Sequence, residues 1–379
     1  MGSWYDERRE AQARAYDRAQ AVLFLVRFAL LFALAAVFWL SGWSRALAAG
    51  LRAGLSFPFG WALVHAAFVA LAVFGYEAVL FPLSVLAGYS LERVHGRLER
   101  EFGAWLRGYL GTLMLEMGLA TAGFTGLYAL MRLFPSVWWV WATGAYAVLV
   151  AGLGECGPSQ LLPRVRPPVP VRDESLEAEL RRIGEAAGLE ITGVAWWDFE
   201  HQEDLEDVRL TGAGRRRRVV YSEWAWRRLG RREQVFLAAR HMAWHRHGAA
   251  WAAQAMHIAL AAAVFLGAAA AADRAARAAG LSGAAAPAAF PFLVTALFGL
   301  AALAGLAAHA VVRRLELRAD RFAIEHAGGP DALRTCLEQQ FRRAPFALDA
   351  PLWQVLLLHR MPTPACRLAR AESCAGKTA

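Results

Sequence analysis

Residues 288–320 read AAFPFLVTALFGLAALAGLAAHAVVRRLELRAD, an apolar run followed by a charged segment. The run 288–312 contains one ionisable side chain, His309, and exceeds the about 20 apolar residues that a membrane-spanning helix needs. Arg313 and Arg314 end the run, and a polar helix that carries Glu316 and Asp320 then begins. The stretch therefore predicts a transmembrane helix that is followed, on its aqueous side, by acidic side chains.

Five further stretches meet the same length criterion. They are residues 21–42, 61–86, 109–131, 137–154 and 251–272. The whole chain is 57% hydrophobic and 19% charged, with a mean hydropathy of +0.31, whereas soluble domains average roughly 45–50% apolar and about 25% charged residues. This composition excludes a disordered chain, a disulfide scaffold and a conventional water-soluble enzyme. It predicts an integral, multi-pass membrane protein.

Arginines indicate the orientation of these spans. The net charge of +9 comes almost entirely from arginine, since Lys377 is the single lysine. Arginines concentrate in the N-terminal tail and in the loop between the second and third spans, and the loops on the opposite side hold few. The positive-inside rule therefore predicts an inner or plasma membrane protein with both termini, and the segment between the fourth and fifth spans, in the cytoplasm.

The spans divide the chain into four segments. Residues 1–155 form an N-terminal membrane domain with four spans, 156–250 a cytoplasmic segment, 251–312 a transmembrane hairpin, and 313–379 a C-terminal cytoplasmic segment. The predicted fold class is an all-α membrane protein of about six transmembrane helices with a small α+β cytoplasmic domain.

The cytoplasmic segment has the composition of a soluble domain. Its patterns predict a helix at 174–187, strands at 189–199 and 217–221, a loop at 200–207 and a helix at 231–247. The arginine run 215–218 indicates a solvated face or a contact with anionic lipid rather than nucleic-acid binding. The expected partners are accordingly the lipid bilayer and a peptide or membrane protein, and no nucleic acid.

Two histidines have a spacing suited to a metal site. His241 and His245 are four positions apart in the predicted helix 231–247, so both imidazoles would lie on one helical face. A hairpin of two spans would return Glu316 to that helix and complete a two-histidine, one-glutamate zinc set. Asp320 would then accept the second ring N–H of a ligating histidine. The alternative is that Glu316 and Asp320 only pair with nearby arginines.

The order of these elements resembles the type-1 CAAX prenyl protease family, whose members are integral-membrane zinc metallopeptidases. The family's zinc helix reads HExxH, and its third ligand lies in an ExxAD motif after a later pair of spans; residues 316–320 read ELRAD. Residues 81–96 resemble the family's second-span exit and basic loop, and Trp138-Trp139 opens a fourth span. The resemblance covers roughly residues 5–370. It implies a helical membrane barrel around a wet chamber, capped by a cytoplasmic zinc-metalloprotease-like domain.

The resemblance also implies roles for individual residues. His241, His245 and Glu316 would hold the zinc cofactor, and Asp320 would support a ligand from behind. Arg367 would stand where the family has an arginine that stabilises the oxyanion, a role it shares with a histidine before a pair of prolines. In this chain Met361 occupies the position of that histidine.

Further departures concern the zinc helix and the substrate strand. Met242 occupies the position of the general-base glutamate, and a thioether cannot carry out proton transfer, which is worth about 10²–10⁴-fold in rate. Trp244 occupies the position of a glycine that often precedes the second histidine. The segment 207–212 keeps only the final glycine of the family's edge-strand motif.

These departures leave three hypotheses. The first is a zinc-binding but catalytically impaired homologue that acts as a binding or regulatory pseudoprotease. The second is an active membrane zinc endopeptidase with a substitute base, for which Glu203 and Asp204 are candidates. The third is a small transporter whose intramembrane histidine and glutamate side chains form a pathway. Whether the chain is an enzyme stays open at this point.

Overall fold

The computed structural model describes residues 6–55, 60–156, 167–197, 207–212, 214–344 and 346–375. Its N-terminal part is helical. The helices there are α1 (Glu7–Leu40), α2 (Trp43–Gly54), α3 (Gly60–Val85), α4 (Leu91–Val94), α5 (Phe102–Leu133) and α6 (Trp138–Cys156). A π-helical turn, Leu86–Ser90, connects α3 to α4.

The remaining elements build a small sheet and a second set of helices. They are β1 (Val169–Pro170), α7 (Glu174–Ala186), β2 (Glu190–Trp197), β3 (Val208–Thr211), β4 (Arg216–Ser222), α8 (Glu223–Arg228), α9 (Arg231–Ala243), α10 (Ala249–Ala278), α11 (Phe290–His326), α12 (Gly329–Arg343), α13 (Leu352–Leu357) and α14 (Pro364–Ala375). Short 3₁₀ turns, Arg246–Gly248 and Pro287–Ala289, precede α10 and α11.

Among the described residues, five helical segments are long and apolar enough to cross a membrane. They are Glu7–Leu40, Gly60–Val94, Phe102–Leu133, Ala249–Ala278 and Pro287–His326. In the apolar windows of the first and third, only 6% of residues are buried within the protein, so these apolar side chains are available to lipid. An integral multi-pass membrane protein, as the hydropathy predicts, is confirmed.

The fourth predicted span, 137–154, corresponds to a shorter helix. The apolar helix described there covers Trp138–Gly152, and α6 as a whole runs for 19 residues. At 1.5 Å per residue α6 is about 28 Å long, close to the roughly 30 Å thickness of the hydrocarbon core. A sixth crossing therefore stays a prediction, and α6 has the length that it requires.

The sheet has four strands in the order β1-β2-β4-β3. The strand β4 pairs in parallel with β2 and antiparallel with β3, so β3 lies at the edge of the sheet. The predicted strands at 189–199 and 217–221 correspond to β2 and β4, and the predicted helix at 174–187 is α7. The predicted loop 200–207 lies outside the described residues except for Asp207. The fold class of mostly helical membrane protein with a small α+β domain is confirmed.

The chain divides into two compact units. One comprises residues 1–14, 147–257 and 306–379, and the other residues 15–146 and 258–305. In the first unit, one apolar core joins the sheet to α7, α9, α11, α12 and α14. Its members include Ile183, Val219, Phe236, Phe322 and Leu333, each at most 3% exposed. In the second unit, a separate core contains buried side chains of α3, α5, α10 and α11.

The helix predicted at 231–247 is shorter in the structure, and that part of the prediction is wrong. The helix α9 ends at Ala243, and backbone bonds from Trp244 N to His241 O and from His245 N to Met242 O, 3.4 and 3.0 Å long, tighten the chain into a turn. A turn of this kind has about three residues per revolution instead of 3.6. His245 therefore lies beyond the helix that carries His241.

Cys336 on α12 should resist alkylation in the folded protein. Its side chain is 3% exposed, and burial raises the pKa of its thiol well above the usual range, so little of the reactive thiolate forms. Cys366 is exposed. We expect maleimide to label Cys366 but not Cys336 in detergent-solubilised protein, as read by peptide mass spectrometry. Rapid labelling of Cys336 without denaturant would contradict the described core.

Candidate functional site

The sequence-predicted site residues His241 and Met242 lie in the last turn of α9, and Glu316 and Asp320 lie on α11. The helix α9 packs its middle into the core of its unit, where Phe236, Ala238 and Ala239 are fully buried. Arg240 follows these residues and reaches α11. Arg240 and Glu316, which are 76 positions apart in the sequence, are thus brought together, as the predicted hairpin of two spans requires.

Arg240 joins both acidic side chains of α11. Its guanidinium donates to Asp320 Oδ1 at 2.8 Å and makes a short ion pair with Glu316 Oε2. Glu316 and Asp320 are 5% and 3% exposed, so neither charge is solvated by bulk water. An exposed ion pair contributes little, but a buried carboxylate requires a partner of this kind.

Arg367 completes the arrangement from α14. Its Nε and Nη2 donate to the two oxygens of Asp320 at 2.7 and 2.9 Å, a two-point contact that fixes the guanidinium plane. Burial raises the pKa of Asp320, but Arg367 and then Arg240 outweigh it and hold that pKa below its usual value. We call Arg240, Glu316, Asp320 and Arg367 the arginine–carboxylate cluster. Its two positive and two negative charges balance.

The side chain of Met242 is not accessible to solvent. Its side chain has no exposed surface and belongs to the apolar core that α9 shares with the sheet, α11 and α12. The position that the family resemblance assigns to the general base is therefore a packing position in this chain. A methionine suits it because a flexible thioether fills irregular space in a core.

The other predicted residues differ in their exposure. Met361, at the position of the family's oxyanion histidine, is 52% exposed. Trp244 forms the first residue after α9 and is half-buried. Glu203 and Asp204, the candidate substitute bases, lie outside the described residues.

His241 is held in its neutral form. Burial first, and then the nearby charges of Arg240 and Arg209, lower its pKa to about 3. His245 is close enough to contribute to this shift. A neutral imidazole is the form that ligates a metal, so protonation is no obstacle to zinc at His241.

The carboxylate of the predicted zinc set is the obstacle. Glu316 is already paired with Arg240, and a zinc ion there would have to displace that guanidinium from a buried ion pair. Among the residues that the structure describes, no three His, Cys, Asp or Glu side chains are arranged to hold a metal ion. The donor set as arranged therefore does not fit zinc, and the ligation expected for His241, His245 and Glu316 would require Arg240 to leave Glu316.

Arg240 is the functional residue that the sequence reasoning missed. The alternative of acidic side chains paired with nearby arginines anticipated its kind of contact, but placed it on an exposed helix. The partners of Arg240 are 76 and 80 positions away. One feature of the sequence could have identified Arg240. It directly precedes His241, at the end of the helix to which the predicted hairpin returns Glu316.

Comparisons with known proteins found one matching family and a solved structure of similar fold. Residues 2–163 match the family described as CAAX prenyl protease N-terminal, five membrane helices. The crystal structure of Ste24p from S. mikatae superposes with a TM-score of 0.72 over 97% of this chain and 90% of that one, at 16% sequence identity. No curated protein matches the chain in sequence.

At 16% identity the superposition establishes the fold, and the sequence match assigns the membrane region. The family match includes residues 81–96 and confirms the resemblance in that part of the chain, whereas residues 316–320 lie outside it. The chain therefore has the fold of Ste24p, and its residues 2–163 match the N-terminal membrane region of the CAAX prenyl proteases.

Proposed function

We propose that this chain is a membrane-embedded pseudoprotease of the CAAX prenyl protease type, which binds a peptide or a membrane-protein tail without hydrolysing it. The observation that carries the proposal is the pairing of Arg240 with Glu316 and Asp320. Glu316 is the residue that would ligate zinc in an active relative. Here a guanidinium from the same chain already supplies the positive charge that this buried carboxylate needs.

The burial of Met242 supports the same proposal. Hydrolysis of a peptide bond needs a group that takes a proton from water and passes it to the leaving amine. Met242 cannot exchange protons, and its complete burial in the apolar core leaves it without access to substrate. Met361 likewise offers no donor for the oxyanion, and Arg367 is committed to Asp320.

The edge strand β3 is the proposed client-binding element. It lies at the end of the sheet and packs against α9, the helix that carries Arg240. An edge strand can accept an extended peptide as an additional strand through main-chain hydrogen bonds. Such binding requires neither zinc nor a general base, so it would survive the loss of both.

The second candidate is an active zinc endopeptidase. It requires Arg240 to leave Glu316 when zinc binds, and a base outside the described residues, for which Glu203 and Asp204 remain candidates. The neutral state of His241 favours this candidate in one respect, because a ligating imidazole must be unprotonated.

Peptide cleavage separates the two candidates. Full-length protein in lipid vesicles is incubated with peptides that carry a hydrophobic C-terminal anchor, with and without added zinc. The proposal expects no cleavage, but cross-linking of the peptide to a photoreactive residue placed at Leu210 on β3 and none at Asp331 on α12. Zinc-dependent cleavage by the wild type that Glu316→Gln abolishes would establish the endopeptidase instead.

The orientation in the membrane is part of the proposal. The arginine asymmetry supports cytoplasmic termini, which require an even number of spans and therefore a crossing by α6 in addition to the five longer helices. We expect reporter fusions after residues 215 and 375 both to report a cytoplasmic location. Opposite locations for the two fusions would contradict this orientation, and so would a shared location outside the cytoplasm.

A further inference from the structure

The helix α13 has its polarity reversed relative to a helix on a water-facing surface. Its one polar residue, Gln354, is 2% exposed, whereas Leu352, Trp353, Leu356 and Leu357 are 72%, 38%, 49% and 41% exposed. Helices on the surface of soluble domains bury the apolar side and expose the polar side. We call these four exposed side chains the α13 apolar face.

The four residues form one continuous face. Positions 352, 353, 356 and 357 are related by steps of one and four, which superimpose on one side of an α-helix. Gln354 lies on the other side, and Val355 between them is half-buried. The exposure of large apolar side chains is therefore a property of one helix side and not of scattered positions.

A hydrogen-bonded contact fixes α13 beside a membrane helix. Arg313 of α11 donates from Nη1 to Val355 O at 2.9 Å and to His359 O at 2.7 Å. Arg313 directly follows the apolar run of a helix that is long and apolar enough to span the membrane. Arginines at the end of such a run lie at the level of the lipid headgroups. The backbone of α13 is thus held at that level.

The surrounding side chains match an anionic lipid surface. Arg314 and Arg360, which adjoin Arg313 and His359 in the sequence, are both exposed, and basic residues near the headgroups attract anionic lipids. Trp353 adds a side chain type that concentrates at the membrane interface. An apolar face flanked by arginines and carrying a tryptophan is the pattern of a helix that lies in the plane of the membrane surface.

We propose that α13 is an interfacial helix whose apolar face is inserted between the headgroups of the bilayer into which α11 passes. The inference is independent of the proposed pseudoprotease function, because it rests on residues 313, 314 and 352–360 and not on the arginine–carboxylate cluster. Its consequence is that the unit containing the arginine–carboxylate cluster has a lipid contact beyond the membrane-spanning helices. Met361, just after α13, then adjoins a lipid-facing segment.

Spin-label accessibility in nanodiscs with anionic lipid tests the proposal. Nitroxides are attached to Leu356→Cys and Leu357→Cys in full-length protein, with Cys156, Cys366 and Cys374 replaced by serine and the buried Cys336 retained. The same background without an added cysteine gives the blank. Asp331→Cys on α12 is the matched control, because Asp331 is 76% exposed and carries a charge.

The expected result is a reversal of accessibility between the two helices. Oxygen, which partitions into lipid, should relax the labels at 356 and 357 more than a water-soluble nickel chelate does, and the order should be opposite at 331. Greater accessibility to the nickel chelate at 356 and 357 would overturn the proposal. Low accessibility to both reagents would also overturn it, because a second copy of the chain or another protein would then cover the face.

Discussion

Replacing Arg240 by methionine should destabilise the protein by about 3–5 kcal/mol, the range found when one partner of a buried ion pair is removed. The side chains of Arg240 and Glu316 are 13% and 7% exposed, so solvent cannot compensate for the lost charge. Glu316 would be left without its guanidinium partner, and Asp320 would keep only Arg367. The measurement is the free energy of unfolding in detergent micelles.

Two controls make this prediction specific. Arg321→Met removes an exposed pair with Glu325, whose side chains are 70% and 43% exposed, and should cost no more than about 0.5 kcal/mol. Combining Arg240→Met with Glu316→Leu removes both charges of the pair, and should restore most of the lost stability because replacing a buried pair by apolar groups is often neutral. An Arg240→Met protein as stable as the wild type would contradict the cluster.

Met242→Glu should unfold the site rather than repair it. The side chain has no exposed surface, and a glutamate buried in apolar surroundings has its pKa raised by about 3–5 units. At pH 7 the folded protein would therefore hold a proton that the unfolded chain, with a pKa near about 4.3, has released. Each pH unit between the unfolded pKa and pH 7 costs about 1.4 kcal/mol of folding free energy, so the penalty at pH 7 approaches about 4 kcal/mol.

The pH dependence identifies the cause. The pKa of this glutamate is raised on folding, so the penalty is absent below the unfolded pKa and grows by about 1.4 kcal/mol per unit as pH rises from there. Met242→Leu conserves volume and should cost less than about 1.5 kcal/mol at every pH. A stable Met242→Glu protein that gains zinc-dependent peptidase activity would show that position 242 faces a catalytic site.

The parts of the fold that sequence predicted correctly are specified locally. The helix α7 begins where Asp173 accepts a hydrogen bond from Leu176 N at 2.9 Å, and Leu176, Leu180 and Ile183 follow at helical spacing. The spans need only a sufficient length of apolar side chains. Both signals lie within the segment that they specify, so neither depends on distant contacts.

The end of α9 could not be predicted in the same way. Residues 243–247 contain no proline or glycine, and the first local signal to end the helix is Gly248, which has a φ of +69°. The chain leaves the helix at Ala243, five positions before Gly248. Arg246 there lies 5.3 Å from the centre of the Phe322 ring on α11, a tertiary contact that the sequence around it does not encode.

The candidate site shows a similar division. The return of Glu316 and Asp320 to the end of α9 follows from the pair of spans and was predictable. The side chain that contacts Glu316 and Asp320 was not predictable. Arg240 and His241 are adjacent in the sequence, and only the packing of α9 against α11 determines which of them makes the contact. The zinc set and the arginine–carboxylate cluster use the same glutamate, and the structure pairs it with Arg240.

The zinc content of the purified protein is the most direct test of this account. Full-length protein is incubated with zinc, dialysed and analysed by mass spectrometry for metal per chain, and its thermal unfolding is followed with and without a chelator. Because the carboxylate of Glu316 is already paired with Arg240, we expect far less than one zinc per chain. We also expect an unfolding temperature that the chelator does not change. About one zinc per chain, lost in Glu316→Gln together with a chelator-sensitive unfolding temperature, would contradict the account.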